Sequence, residues 1–141
     1  MRALLLLPLL ALSAPMSAAV PPPPPPPGFP AALSTPENIE LLWDWQTLVS
    51  VRWYAQMEHW CYATDRIPPA PGSQDARAAR QREQLVELFG EAPLALYERY
   101  GVVALDCRKV RDEGHYRRSY ARLLDRTDAR LAARRARKAA N

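Results

Sequence analysis

The chain has 141 residues, 48% of them hydrophobic and 24% charged, with a formal net charge of +4. That length and apolar content exclude a disordered protein and suit one domain able to bury its own core. Arginine outnumbers lysine 17 to 2, a bias that points to a GC-rich bacterial genome and says nothing about chemistry.

The first element is a targeting segment. Met1 and Arg2 form a short basic start, Ala3 to Ser13 an apolar stretch, and Ser17 and Ala19 a small-residue cleavage pattern before Val20. A spanning helix needs roughly 20 apolar residues, and this run is about half that, so residues 1–19 read as a signal peptide. The mature protein is then exported, periplasmic or secreted, and membrane-anchored only if the segment stays uncleaved. Residues 20–35 follow, with seven consecutive prolines (Pro21 to Pro27), and read as a stiff, disordered leader.

Helix signals dominate the rest. Thr35, Pro36 and Glu37 form an N-terminal cap, first-turn proline and dipole-matched acid. The helix they open is expected to run unbroken to about Ala63. Its large apolar residues, including Ile39, Leu42, Trp43, Val49, Trp53, Tyr54, Met57, Trp60 and Cys61, fall in one arc, with Glu40, Asp44 and Glu58 opposite. Leu41, Trp45 and Leu48 form a second, smaller patch beside Arg52, a candidate protein-contact surface if it is exposed. Pro68, Pro69, Pro71 and Gly72 end the helix. A second helix begins at Asp75 and closes at Gly90, a third runs from Pro93 to Gly101, and a C-terminal helical region follows with Gly114 inside it. The expected fold is all-α: a small antiparallel bundle built on the long first helix. The domain covers 36–132, and 133–141 form a basic tail.

Two cysteines, Cys61 and Cys107, read as one disulfide, since their number is even and the expected compartment is oxidising. A metal site made from these and His59 and His115 has the wrong spacing, because His59 and Cys61 point about 200° apart on a helix. Glu58 beside His59 diverges by about 100° and cannot share one substrate atom. No nucleophile elbow, phosphate loop or zinc-protease motif is present, and the expectation is no catalytic residue, no metal and no cofactor.

Charge is distributed unevenly. Glu37 to His115 hold 9 basic and 13 acidic residues, whereas Tyr116 to Asn141 hold 9 basic and 2 acidic. On the last helix Tyr116, Tyr120, Leu123, Leu124, Thr127 and Leu131 make a narrow core-facing strip. Arg118, Arg122, Arg126, Arg130 and Arg134 recur every fourth residue beside it, where like charges repel. The ladder needs anions, and Glu83, Glu87 and Glu91, also four apart, are one internal source. Arg135, Arg137 and Lys138 extend the charge toward the C-terminus and make the helix a candidate contact for an anionic surface. The expected function is therefore a non-catalytic exported protein that meets an anionic envelope surface or an exported protein partner. Nucleic acid is not expected, because no aromatic-basic interleaving accompanies the charge. The alternative is a small helical enzyme gripping an anionic metabolite through inward arginines such as Arg52, Arg108 and Arg111.

Overall fold

The first helix begins where its local chemistry says it should. Thr35 is extended, and its hydroxyl accepts the Asn38 amide at 3.3 Å, while Pro36 occupies the first turn. The structure, a computed structural model, describes residues 21–62, 73–99, 106–110, 112 and 114–141. The expected signal peptide, the proline segment before the second helix and Arg111 lie outside the described residues. Among those residues are four α-helices and no strand: α1 (Pro36–Met57), α2 (Ser73–Phe89), α3 (Glu91–Glu98) and α4 (His115–Ala140). After α1 the chain tightens into a 3₁₀ turn over Glu58–Cys61, so the first helix is shorter than expected.

The contacts along α4 fix the arrangement. Against α1 they run in reversed sequence order: Arg137 meets Glu37, Arg130 meets Glu40 at 2.8 Å, Arg126 meets Asp44 at 3.3 Å, and the Tyr116 amide meets Glu58 at 2.9 Å. Against α2 they run in the same order: Tyr120 with Asp75 at 2.9 Å, Arg77 with Asp125 and Asp128 at 2.7 and 2.6 Å, and Arg135 with Gln84. Thus α4 runs against α1 and alongside α2. The short α3 packs on α1 and α2. It follows Gly90, whose φ of 85° lets the chain reverse from α2 within one residue.

The core face of α1 takes in the patch expected as the minor one together with Ile39 and Leu42 of the expected main arc. Leu41, Trp45 and Leu48 are 2%, 3% and 0% exposed, and Leu42, Leu85, Leu94 and Leu124 are fully buried with them. Trp43 stands two residues from Trp45, about 200° around the helix, and is 40% exposed. The expected core arc of α1 is therefore rotated, and the reason is polar. Asp44 and Glu58, expected to face solvent, are buried, Asp44 because two arginines of α4 lie over it. On α4 the expected strip matches: Tyr120, Leu123, Leu124, Thr127 and Leu131 are buried, and Tyr116 packs against the core.

Glu58 performs a task the local sequence of α4 leaves undone. Gly114 caps that helix at φ 91° and has no side chain to satisfy first-turn amides. The Glu58 carboxylate, fully buried at the far end of α1, accepts the Tyr116 amide instead. An anion there also opposes the positive end of the α4 dipole.

The leader is not a free end. Phe29 stands edge-on to Tyr97 with ring centroids 5.3 Å apart, and Leu33 packs against the core. A short 3₁₀ turn at Ala31–Leu33 precedes the Thr35 cap. The reason is apolar: Phe29 and Leu33 follow the prolines and cover the α3 side of the bundle.

Three tyrosines link this core to pH. Burial pushes the phenols of Tyr97, Tyr116 and Tyr120 above their ordinary range, and the hydrogen bond from Tyr120 to Asp75 adds to the effect there. A folded-state value raised above the unfolded one near 10 favours the folded chain while the phenol is protonated. Stability is then lost as pH rises past 10, at about 1.4 kcal/mol per pH unit for each tyrosine protonated only when folded. Urea titrations between pH 9 and 11 are expected to show a falling midpoint that Tyr120→Phe makes shallower. An unchanged slope in that variant would remove Tyr120 from the effect.

Candidate functional site

The arginines of α4 were expected to lean on α2 or to reach for an outside anion. Four of the eight, Arg126, Arg130, Arg134 and Arg137, lean on α1. Arg126 and Arg130 share the buried Asp44, the latter at 2.6 Å, and Arg130 also reaches Glu40. Arg137 pairs with Glu37, and Arg118 with Asp112. Glu83 and Glu87 make no ion pair among the described residues, and Glu91 belongs to Arg82. That contact holds the Glu91 carboxyl below its usual range. The internal partner of the ladder is thus α1, not Glu83, Glu87 and Glu91, because α4 runs against α1. That orientation sets the basic last turns of α4 beside the acidic first turns of α1, which also suits both helix dipoles.

The helix does not stop at 132. It continues to Ala140, so the expected basic tail is the last two turns of α4. Arg137 there keeps its carboxylate partner, Glu37, but the other three cations of these turns have none among the described residues. Arg134 donates to the side-chain oxygen of Asn38 and lies over the Phe89 ring at 5.4 Å. Arg135 donates to the side-chain oxygen of Gln84. Both acceptors are neutral amides, which orient a guanidinium without cancelling its charge. Lys138, exposed, has no carboxylate partner among the described residues. Lower on the helix, Arg122 likewise meets only the Ser119 hydroxyl, at 3.0 Å.

Arg134, Arg135 and Lys138 converge on an open groove of about 510 Å³ between the last turns of α2 and α4. Leu88 provides its exposed apolar side chain, with the buried Leu131 beneath, and Gln84, Glu87 and Asn141 complete it. Leu88 is 36% exposed and stands beside the cationic cluster. Across α4 a smaller cleft of about 270 Å³ also holds arginines, but there Glu37 and Glu40 stand among Arg130, Arg134 and Arg137. The α1 side of α4 sets two carboxylates among three arginines, whereas the groove side sets one, Glu87, among three cations.

The remaining expected site residues fall elsewhere. Leu41, Trp45 and Leu48 are core and unavailable to a partner, since the neighbouring helices already cover them. Arg52, on their flank, is bound to Asp75 at 2.8 Å. Arg108 pairs with Asp106 on the surface at 3.0 Å, so neither it nor Arg52 faces inward around a cavity as the metabolite-binding alternative requires. Cys61 and Cys107 form the expected disulfide, with Cα atoms 5.4 Å apart. Among the described residues no cluster of three histidine, cysteine or acidic side chains could hold a metal. Sequence reasoning missed Leu88, Gln84 and Asn38, which sit on other helices and become part of the site only through packing.

The fold and groove define a disulfide-stapled all-α protein with a basic cleft at one end of its helices. No known protein family, curated protein or solved structure matches this chain.

Proposed function

We propose that this chain is an exported, non-catalytic helical protein that docks onto an anionic envelope surface through the last two turns of α4. One contrast carries the reading: Arg118, Arg126, Arg130 and Arg137 are neutralised by carboxylates, whereas Arg134 and Arg135 are oriented by neutral amides. Fixed guanidiniums that keep their charge suit recognition of phosphate and carboxylate groups. The disulfide fits an oxidising compartment, in keeping with the targeting segment read at residues 1–19. No described helix is long and apolar enough to cross a membrane.

Co-sedimentation with phosphatidylglycerol-containing vesicles tests this. Binding is expected at low salt and release at high salt, as the screening length falls from about 30 Å at 0.01 M to about 3 Å at 1 M. Each basic residue near such a surface contributes about 1 kcal/mol. The double variant R135Q/K138Q should therefore bind roughly thirtyfold more weakly. Equal sedimentation with pure phosphatidylcholine vesicles, or none with either at low salt, would overturn the proposal.

A further inference from the structure

The surface reading treats the end of α4 as a patch of charge, but the groove beside it has depth and an apolar lining. We infer that this groove takes a single-chain amphiphilic anion, its alkyl chain over Leu88 and Leu131 and its head between Arg135 and Lys138. The inference rests on the proposed function and narrows it from a surface to a ligand class.

Three observations favour that occupant. First, the volume of about 510 Å³ lies in the range of small-molecule sites, roughly 300–1,000 Å³, whose lining is mainly apolar with a few fixed polar groups. Second, the polar groups here are cations that the protein itself leaves uncancelled. The Gln84 side-chain oxygen holds the Arg135 guanidinium, and Asn38 with the Phe89 ring holds Arg134. Glu87 is the one acidic side chain lining the groove. Third, the apolar part is continuous with the core: Leu131 is 2% exposed, while Leu88, on the facing helix, is the most exposed leucine among the described residues. An alkyl chain laid between them would cover Leu88 and leave an anionic head at the rim. A flat membrane could reach the rim but not the floor, and an uncharged lipid would leave three cations facing the single carboxylate of Glu87.

Isothermal titration with dodecyl phosphate below its micellar concentration tests the site on the whole protein. Inorganic phosphate and dodecyl maltoside serve as the head-only and tail-only arms. Saturable binding of one dodecyl phosphate is expected, with both comparators about tenfold weaker or more. Arg135→Gln should weaken it about tenfold. Leu88→Gln, at a half-exposed position that tolerates polarity, should weaken it while circular dichroism stays unchanged. Equal affinity for inorganic phosphate would reject the alkyl site. Equal affinity for dodecyl maltoside would reject the role of the cations. If vesicles bind and are released by salt while monomeric dodecyl phosphate does not bind, the groove inference fails and the surface reading stands. If an acidic amphipathic peptide binds and dodecyl phosphate does not, the occupant is a protein segment and the inference likewise fails.

Discussion

Truncating Trp45 to alanine is expected to cost about 3–5 kcal/mol of unfolding free energy, the range for removing a buried aromatic side chain. The indole is 3% exposed, and its N–H donates to Glu98 at 3.1 Å. The same Glu98 oxygen accepts from Arg82 at 2.9 Å, so one side chain ties α1 to α3 and, through Arg82, to α2. Trp45→Phe separates the two contributions: it keeps most of the buried ring and removes the donor, for roughly 1–3 kcal/mol if Glu98 loses a partner. Trp43→Ala is the control. With 40% of that side chain in solvent, its loss should cost well under half as much, closer to a surface substitution. Urea unfolding followed by far-UV circular dichroism gives all three midpoints. A midpoint for Trp43→Ala below that for Trp45→Ala would reverse the assignment of the core face.

That assignment marks the boundary of what the sequence makes legible. The Thr35 cap and Pro36 were readable because capping is local and depends on three or four neighbours. The core strip of α4 was readable because a few apolar residues stand out among arginines. The face of α1 was not, because its apolar residues form two patches, with Trp43 and Trp45 on opposite sides of the helix. Its orientation is set by Asp44, whose burial depends on Arg126 and Arg130 more than 80 residues later. The arginine ladder was visible as a pattern, but its partner was not. Glu83, Glu87 and Glu91 have the matching four-residue spacing, and Glu37, Glu40 and Asp44 match it almost as well. Only chain direction chooses between them, and direction follows from how the long connections close. The groove was less legible still, because two neutral amides decide which arginines keep their charge. No spacing rule on α4 could reveal that.

Removing the disulfide is the second large effect, and it should separate stability from binding. Cys61 and Cys107 are 46 positions apart, and the loop they close contains both α2 and α3. Restricting a loop of that length in the unfolded chain stabilises the fold by about 4 kcal/mol on a chain-entropy estimate. Domains of this size are stable by roughly 5–15 kcal/mol in all, so the double variant C61S/C107S should lose a large share of its urea midpoint. Its m value should rise, because the uncrosslinked chain exposes more surface when unfolded. The staple sits at the base of the bundle, three residues after Glu58, whose carboxylate holds the first turn of α4. Arg135 is 19 residues further along that helix, about 28 Å at 1.5 Å per residue. The groove is formed by the C-terminal ends of α2 and α4, and core packing with the contacts of Arg135 to Gln84 and of Arg134 to the Phe89 ring holds those ends together without the sulfur bridge. Below its unfolding transition the reduced protein should therefore bind anionic vesicles with unchanged affinity. A loss of binding in the folded, reduced protein would mean that the staple sets the spacing of α2 and α4 along their whole length. A stability change below about 1 kcal/mol would mean that α2 and α3 are already held in the unfolded chain by residual structure.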